Sequence, residues 1–179
     1  MTKTQQVYGN ALYDLAKEEN LAEEILSELS QVLVIFDEMP QYWQFLSTLS
    51  IAKTERRQAL DEALGGRVQP YLLSFMKMLC DNGMMEQLRG CAAQFRRRYN
   101  DDHGIVEVRA VTAVAMKEPL LQKLKKKLEG LLGKTVELTN KVDPACMGGV
   151  LLELPGRQLD GTLRHRLDAL GESLRTAVL

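Results

Sequence analysis

Cysteine is scarce in this 179-residue chain: Cys80, Cys91 and Cys146 are an odd number with no C-x-x-C spacing. That argues against a disulfide framework and a closed zinc site, and fits a reducing compartment. Aromatic residues are only 6% and collect mostly in the N-terminal part, which leaves little for base stacking. No apolar run approaches the roughly 18 residues of a membrane span, and the opening Met1-Thr2-Lys3-Thr4-Gln5-Gln6 has no apolar leader core. Contact with a membrane would come through a partner. Charge of one sign is lacking too: 23 Lys and Arg against 24 Asp and Glu give a net of −1, so any charge-driven function is local. What the chain does have is 45% hydrophobic and 26% charged residues, the composition of a packed soluble protein. Its length allows one large domain or two small ones.

Up to Gly104 the apolar residues recur at helical spacing, punctuated by Gly, Pro or Asn. Val7, Tyr8, Ala11, Leu12, Leu15 and Ala16 make a first helix, stopped at Asn20. Ile25, Leu29, Val32 and Phe36 share a face of a second that Pro40 ends. A short aromatic helix holds Tyr42, Trp43, Phe45 and Leu46. A fourth runs from about Thr54, a residue able to cap free amides, to Gly65-Gly66. The fifth starts near Pro70 and carries Leu72, Phe75, Met76 and Leu79; the sixth carries Leu88, Cys91, Ala92, Phe95 and Tyr99. After Gly104 the period changes. Val106, Val108 and Ala110 alternate as in a half-buried strand, Leu121 to Leu131 restore a helix, Val136 to Val142 and Val150 to Leu154 read as strands, and Leu163 to Leu174 as a closing helix. A change of period marks a change of packing. The expected fold is mainly α: a six-helix bundle at 1–104, then a small α+β domain at 105–179.

Candidate chemistry is thin. Gly133-Lys134-Thr135 ends like a phosphate-binding loop, but Leu128 stands where the first glycine belongs, and the tripeptide follows a helix instead of opening one. It reads as a helix-to-strand turn. His103 and His165 lie in different segments without local partners. Cys80 and Cys91 fall on apolar helix faces, where cysteine acts as a small hydrophobe. Cys146, beside a glycine pair, is expected to be more exposed. A cysteine enzyme centred on Cys146 is therefore one reading. A nucleic-acid-binding adaptor is another, using Arg96-Arg97-Arg98 and the lysines at 123 and 125–127, although solvated faces or a protein partner fit these basic runs better without stacking aromatics. The first helix has an apolar stripe wide enough for two neighbours, one of which could be a partner helix anchored at i, i+3, i+4 and i+7.

Three stretches make the chain recognisable. Tyr8-Gly9-Asn10-Ala11-Leu12-Tyr13-Asp14-Leu15-Ala16 matches Y-x-x-A-L-[FY]-x-x-A. Val142-Asp143-Pro144-Ala145-Cys146-Met147-Gly148-Gly149-Val150 matches V-D-P-x-[LI]-[IL]-G-G-[VF], and Asp160-Gly161-Thr162 through Leu167 matches D-G-[ST]-x-x-x-[RK]-L. In this order and at this length the chain resembles the delta subunit family of F-type ATP synthases, whose mitochondrial relative is the oligomycin-sensitivity-conferring protein. It departs from the family at Cys146, usually leucine or isoleucine, and at Met84, where an arginine commonly follows Asn-Gly.

The resemblance implies a non-catalytic stator component without cofactor or metal, which ties the catalytic head to the peripheral stalk during proton-driven ATP synthesis. It implies that the bundle grips the N-terminal helix of an alpha subunit with its first and fifth helices, making Val7, Tyr8, Ala11, Leu12, Phe75 and Leu79 candidate groove residues. The 105–179 domain would engage the b subunits of the stalk, with Asp143, Pro144, Gly148, Gly149, Asp160 and Gly161 as a structural signature. No nucleic acid is implied. The expected place is the cytoplasmic face of a bacterial cell membrane, held there peripherally through the complex.

Overall fold

A computed structural model describes residues 2–162. The protein is mainly helical with a small four-stranded sheet. It divides into two compact units whose boundary falls between Asn100 and Asp101, inside the last helix of the first unit.

The first unit contains α1 (Lys3–Glu18), α2 (Ala22–Glu38), α3 (Pro40–Ser47), α4 (Lys53–Leu64), α5 (Pro70–Asp81) and α6 (Leu88–His103). Local chemistry sets most of these limits. Thr2 and Gln5 form a reciprocal capping box at the start of α1, and Pro40 and Pro70 occupy the first turns of α3 and α5, where no amide is lost. Two details differ from expectation. Thr54 does not cap α4: the helix starts at Lys53, Ala52 holds the cap position, and no side chain bonds the free amides. The bundle is also not six helices alone. After Asn82-Gly83 the chain coils into a one-turn 3-10 helix, Met85–Gln87, which buries Met85 in the core.

That core is one cluster drawn from every helix, including Leu12, Tyr13, Ile25, Phe36, Leu46, Leu60, Leu72, Met76, Leu88 and Phe95. Its largest fully buried side chain is a cation. Arg56 is 2% exposed, and its Nη1 donates to the carbonyl oxygens of Leu46 at 3.3 Å and Cys80 at 2.9 Å. Both carbonyls belong to the last turns of helices, α3 and α5, where the helix dipole is negative and free acceptors collect. The guanidinium thus staples two C-termini from within.

Along α1 and α6 the backbones come close. A Cβ on Gly9 would stand 2.7 Å from the Cys91 carbonyl oxygen and 2.8 Å from the Gln94 Cβ, so only glycine allows this approach. Beside it the Gln94 amide donates to Asn10 Oδ1 at 2.9 Å, Tyr13 meets Phe95 edge-on at 5.3 Å, and Arg98 bonds Asp14 at 3.0 Å while lying over the Tyr13 ring.

The second unit contains β1 (Ile105–Thr112), α7 (Glu118–Leu132), β2 (Thr135–Val142), β3 (Val150–Leu154) and β4 (Arg157–Asp160), in sheet order β2-β1-β3-β4. β1 pairs in parallel with β2, Val108 opposite Leu138, and antiparallel with β3, Ala110 opposite Leu152. β4 pairs antiparallel with β3 and had no counterpart in the sequence pattern. Leu124, Leu128 and Leu132 of α7 pack on Val106, Val108, Val136 and Leu138. Gly133 ends α7 in the left-handed conformation, φ +63°, and Thr135 opens β2, so Gly133-Lys134-Thr135 is a helix-to-strand turn. The closing helix expected at 163–174, with His165, lies outside the described residues.

Candidate functional site

The wide stripe of α1 resolves into distinct faces. Gly9, Asn10, Tyr13 and Asp14 meet α6, and Leu12 and Ala16 enter the core. A third line, Val7, Ala11 and Leu15, spaced i, i+4 and i+8, faces outward; Val7 is 58% exposed. α5 repeats the plan. Leu72, Phe75, Met76 and Leu79 are buried, while Tyr71, Ser74 and Met78, at i, i+3 and i+7, face outward.

The six candidate groove residues therefore separate. Val7 and Ala11 are exposed and Tyr8 is half-buried. Leu12, Phe75 and Leu79 are buried in the bundle core, and of these Phe75 comes nearest the surface, at 8% exposure. Periodicity placed all six on apolar stripes but could not separate the core side from the outward side. Leu15, Tyr71 and Met78 belong to the outward lines, and their signal was the i+4 and i+7 repeat from Val7 and Tyr71.

A cleft of about 320 Å³ lies between α2 and α6, with Leu26, Leu29, Leu33 and Ala92 among its apolar lining. Its arginines are engaged. Arg89 bonds Asp37, which holds that carboxyl below its usual range, and lies over the Trp43 ring; Arg96 donates to Ser30 at 3.2 Å. With Arg98 on Asp14, two of the three arginines at 96–98 tie α6 to its neighbours, which weakens the nucleic-acid reading of that run.

In the second unit the signature residues meet at one end of the sheet. The Asp143 amide donates to the Thr112 carbonyl at 2.8 Å, its carboxylate accepts from the Ala145 amide at 2.9 Å, and Pro144–Cys146 form a 3-10 turn. Gly149 has φ +83°, and a Cβ there would stand 2.4 Å from the Gly161 carbonyl oxygen. Gly161 in turn donates to the Val150 carbonyl at 3.0 Å, and Asp160 accepts from the Thr162 amide at 2.9 Å. The two glycine-bearing stretches thus need each other sterically: one glycine lets the other's backbone pass. Cys146 is buried, 8% exposed, contrary to expectation, because the 3-10 turn folds its side chain inward. Burial also pushes the thiols of Cys91, up to about 11, and Cys80 upward, away from nucleophilic thiolate.

Among the described residues no group of His, Cys, Asp and Glu is placed to hold a metal ion, and no helix is long and apolar enough to cross a membrane. An all-helical unit with outward apolar lines, followed by a small sheet unit, has the form of a docking protein, a body built to hold others.

Comparison with known proteins makes this specific. The family model for the ATP synthase delta (OSCP) subunit matches residues 4–174, and the chain belongs to that family. ATP synthase subunit delta of Moorella thermoacetica is 29% identical over 170 residues, 95% of each chain. That of Enterococcus hirae is 31% identical over 168 residues, 93% of each. A chain in the cryo-EM structure of the Toxoplasma gondii mitochondrial ATP synthase hexamer shares the fold, with a TM-score of 0.76 at 17% identity, covering 97% of this chain and 98% of that one. The protein is thus a non-catalytic component of the peripheral stalk, the stator, of an F-type ATP synthase.

Proposed function

We propose that the outward lines of α1 and α5 form the walls of a groove for the N-terminal helix of an alpha subunit, and that the second unit holds the b subunits of the stalk. The observation that carries the first part is the Val7, Ala11, Leu15 line. Apolar side chains at one-turn spacing face water there on a helix whose other faces are already packed. With the exposed Tyr71 and Met78 of α5, a helix that packs on α1, these residues offer anchor points at the spacing a docked amphipathic helix needs. A rotor turning inside the head exerts an opposite torque on it, so the tether must dissociate slowly; a nanomolar complex, about −12 kcal/mol, meets that demand. The chain would then work on the cytoplasmic face of a bacterial membrane, attached only through the complex.

Calorimetric titration of the full chain with a peptide from the start of the cognate alpha subunit tests this. Binding is expected, and Leu15→Asp should weaken it at least tenfold with little loss of stability. Peptide binding that Val7→Asp and Leu15→Asp both leave intact would place the alpha contact elsewhere.

A further inference from the structure

Unsatisfied polar atoms gather where α3, α4 and α5 meet. Among the described residues four side-chain oxygens or nitrogens are shut off from solvent and have no hydrogen-bond partner in the protein: Ser47 Oγ, Arg56 Nε, Asp81 Oδ1 and Gln94 Oε1. Such orphans are rare in folded proteins, because a polar group left buried and unbonded is costly. Three of the four belong to one place. Arg56 Nη1 binds the carbonyls of Leu46 and Cys80, and Ser47 and Asp81 are the residues that follow those carbonyls, each the last of its helix.

The Cys80 side chain reports on the same spot. Its thiol donates to the Leu46 carbonyl at 3.7 Å, and besides the burial that raises its pKa, it feels Arg56 lowering and Asp81 raising it. The guanidinium and the carboxylate are thus neighbours, yet no hydrogen bond joins Arg56 Nε to Asp81 Oδ1. Asp81 Oδ2 instead meets Arg57 Nε at 3.3 Å, at the surface, which leaves Oδ1 on the buried side.

The donor set identifies what fits between them. Arg56 Nε can only donate, the Asp81 carboxylate can only accept, and the Ser47 hydroxyl can do either. An anion would be held by Arg56 and repelled by Asp81, and a cation the reverse. A small neutral molecule that both accepts and donates satisfies all three, and a buried water ordinarily makes about 3 such bonds. We infer that one internal water molecule is bound here, accepting from Arg56 Nε, donating to Asp81 Oδ1 and sharing a bond with Ser47 Oγ. Through it Asp81 serves as the counter-charge of a guanidinium that is 2% exposed. The water ties the last residues of α3 and α5 to the first turn of α4, a second link beside the two carbonyl bonds and independent of what docks on the outside of the bundle.

Two measurements on the full chain test this. Nuclear magnetic resonance follows the Arg56 Nε–H directly: a cross-relaxation peak to the water resonance, of the sign given by a long-lived bound molecule, is expected. A crystal structure should show the water oxygen within about 3 Å of all three atoms. Arg56 Nε bonded straight to the Asp81 carboxylate, an ion in that place, or a dry site would overturn the inference. Urea titrations supply the energetic reading. Ser47 and Asp81 have no hydrogen bond to each other, so a shared water is what makes Ser47→Ala and Asp81→Ala interdependent. The folding constant of the double variant should differ at least threefold from the value expected if the single effects simply multiplied. Arg57→Gln, which removes the surface pair and keeps the buried oxygen, should show no such coupling to Ser47→Ala. Independent effects of Ser47→Ala and Asp81→Ala would exclude the shared water, and equal coupling of Arg57 to Ser47 would move the interaction to the surface and overturn it as well.

Discussion

Arg56 shows what one side chain can do for a bundle. It is sealed from water and bonds acceptors at the ends of two helices, ten and twenty-four residues away in sequence. Hydrogen bonds made by a charged donor contribute about 1.5–3 kcal/mol each, and the carbonyls left behind would be buried. Arg56→Ala should therefore destabilise the first unit by about 2–3 kcal/mol in urea titrations, and Arg56→Lys by less, since an ammonium can keep one of the two bonds. Tyr42 offers a pH test. Its hydroxyl donates to the Ala59 carbonyl at 2.9 Å, and burial pushes its pKa from 10.0 up to about 12. The unfolded chain ionises this phenol near pH 10 while the native chain keeps it neutral, so its contribution is intact below pH 10 and is lost as the pH rises toward 12. Urea midpoints on either side of pH 10 should fall more steeply for the wild-type chain than for Tyr42→Phe. The thiols give a further check: with Cys80, Cys91 and Cys146 all buried, the native protein should react slowly with a thiol reagent and yield all three on denaturation.

At the scale of elements, the clearest signals were those repeated many times. Each helix of the first unit except the short α3, which buries Leu46 alone, buries residues three or four apart, and the strands β1 and β2 alternate in sequence, so their existence followed from period. Boundaries depended on single residues and were less legible. Thr54 had the chemistry of a cap but lies inside α4, since helix start is decided by where Arg56 and Leu60 must be buried. β4 escaped notice because Arg157, Gln158, Leu159 and Asp160 are all exposed and carry no apolar alternation; its pairing with β3 comes from the turn between them. The outward lines of α1 and α5 were hidden for the opposite reason, too much apolar signal, which spacing alone cannot apportion between neighbours. The signature glycines were legible as a motif, but their mutual contact is visible only once the sheet is formed. Gly149→Ala should place a methyl against the Gly161 carbonyl at a positive φ and destabilise the second unit by more than about 2 kcal/mol, read as a lower midpoint in that unit alone.

The whole molecule is two structures written on one chain. Because α6 continues to His103, past the unit boundary at Asn100, a fragment ending at Gly104 keeps its last turn intact. Residues 1–104 should unfold cooperatively by themselves and retain the alpha peptide with the affinity of the full chain; a fragment that binds tenfold more weakly would place part of that contact in the second unit. The two units also differ in how their contacts are distributed. Helical contacts in the first are mostly local. In the second, β1 lies between β2 and β3 and has to wait for both, the first arriving only after the whole of α7. Pairing across such sequence separation slows folding. On the ribosome, which delivers the N-terminus first, the bundle would mature while the sheet was still incomplete. A partner that docks on the first unit could then bind before the second had formed, with the order of assembly written into strand order.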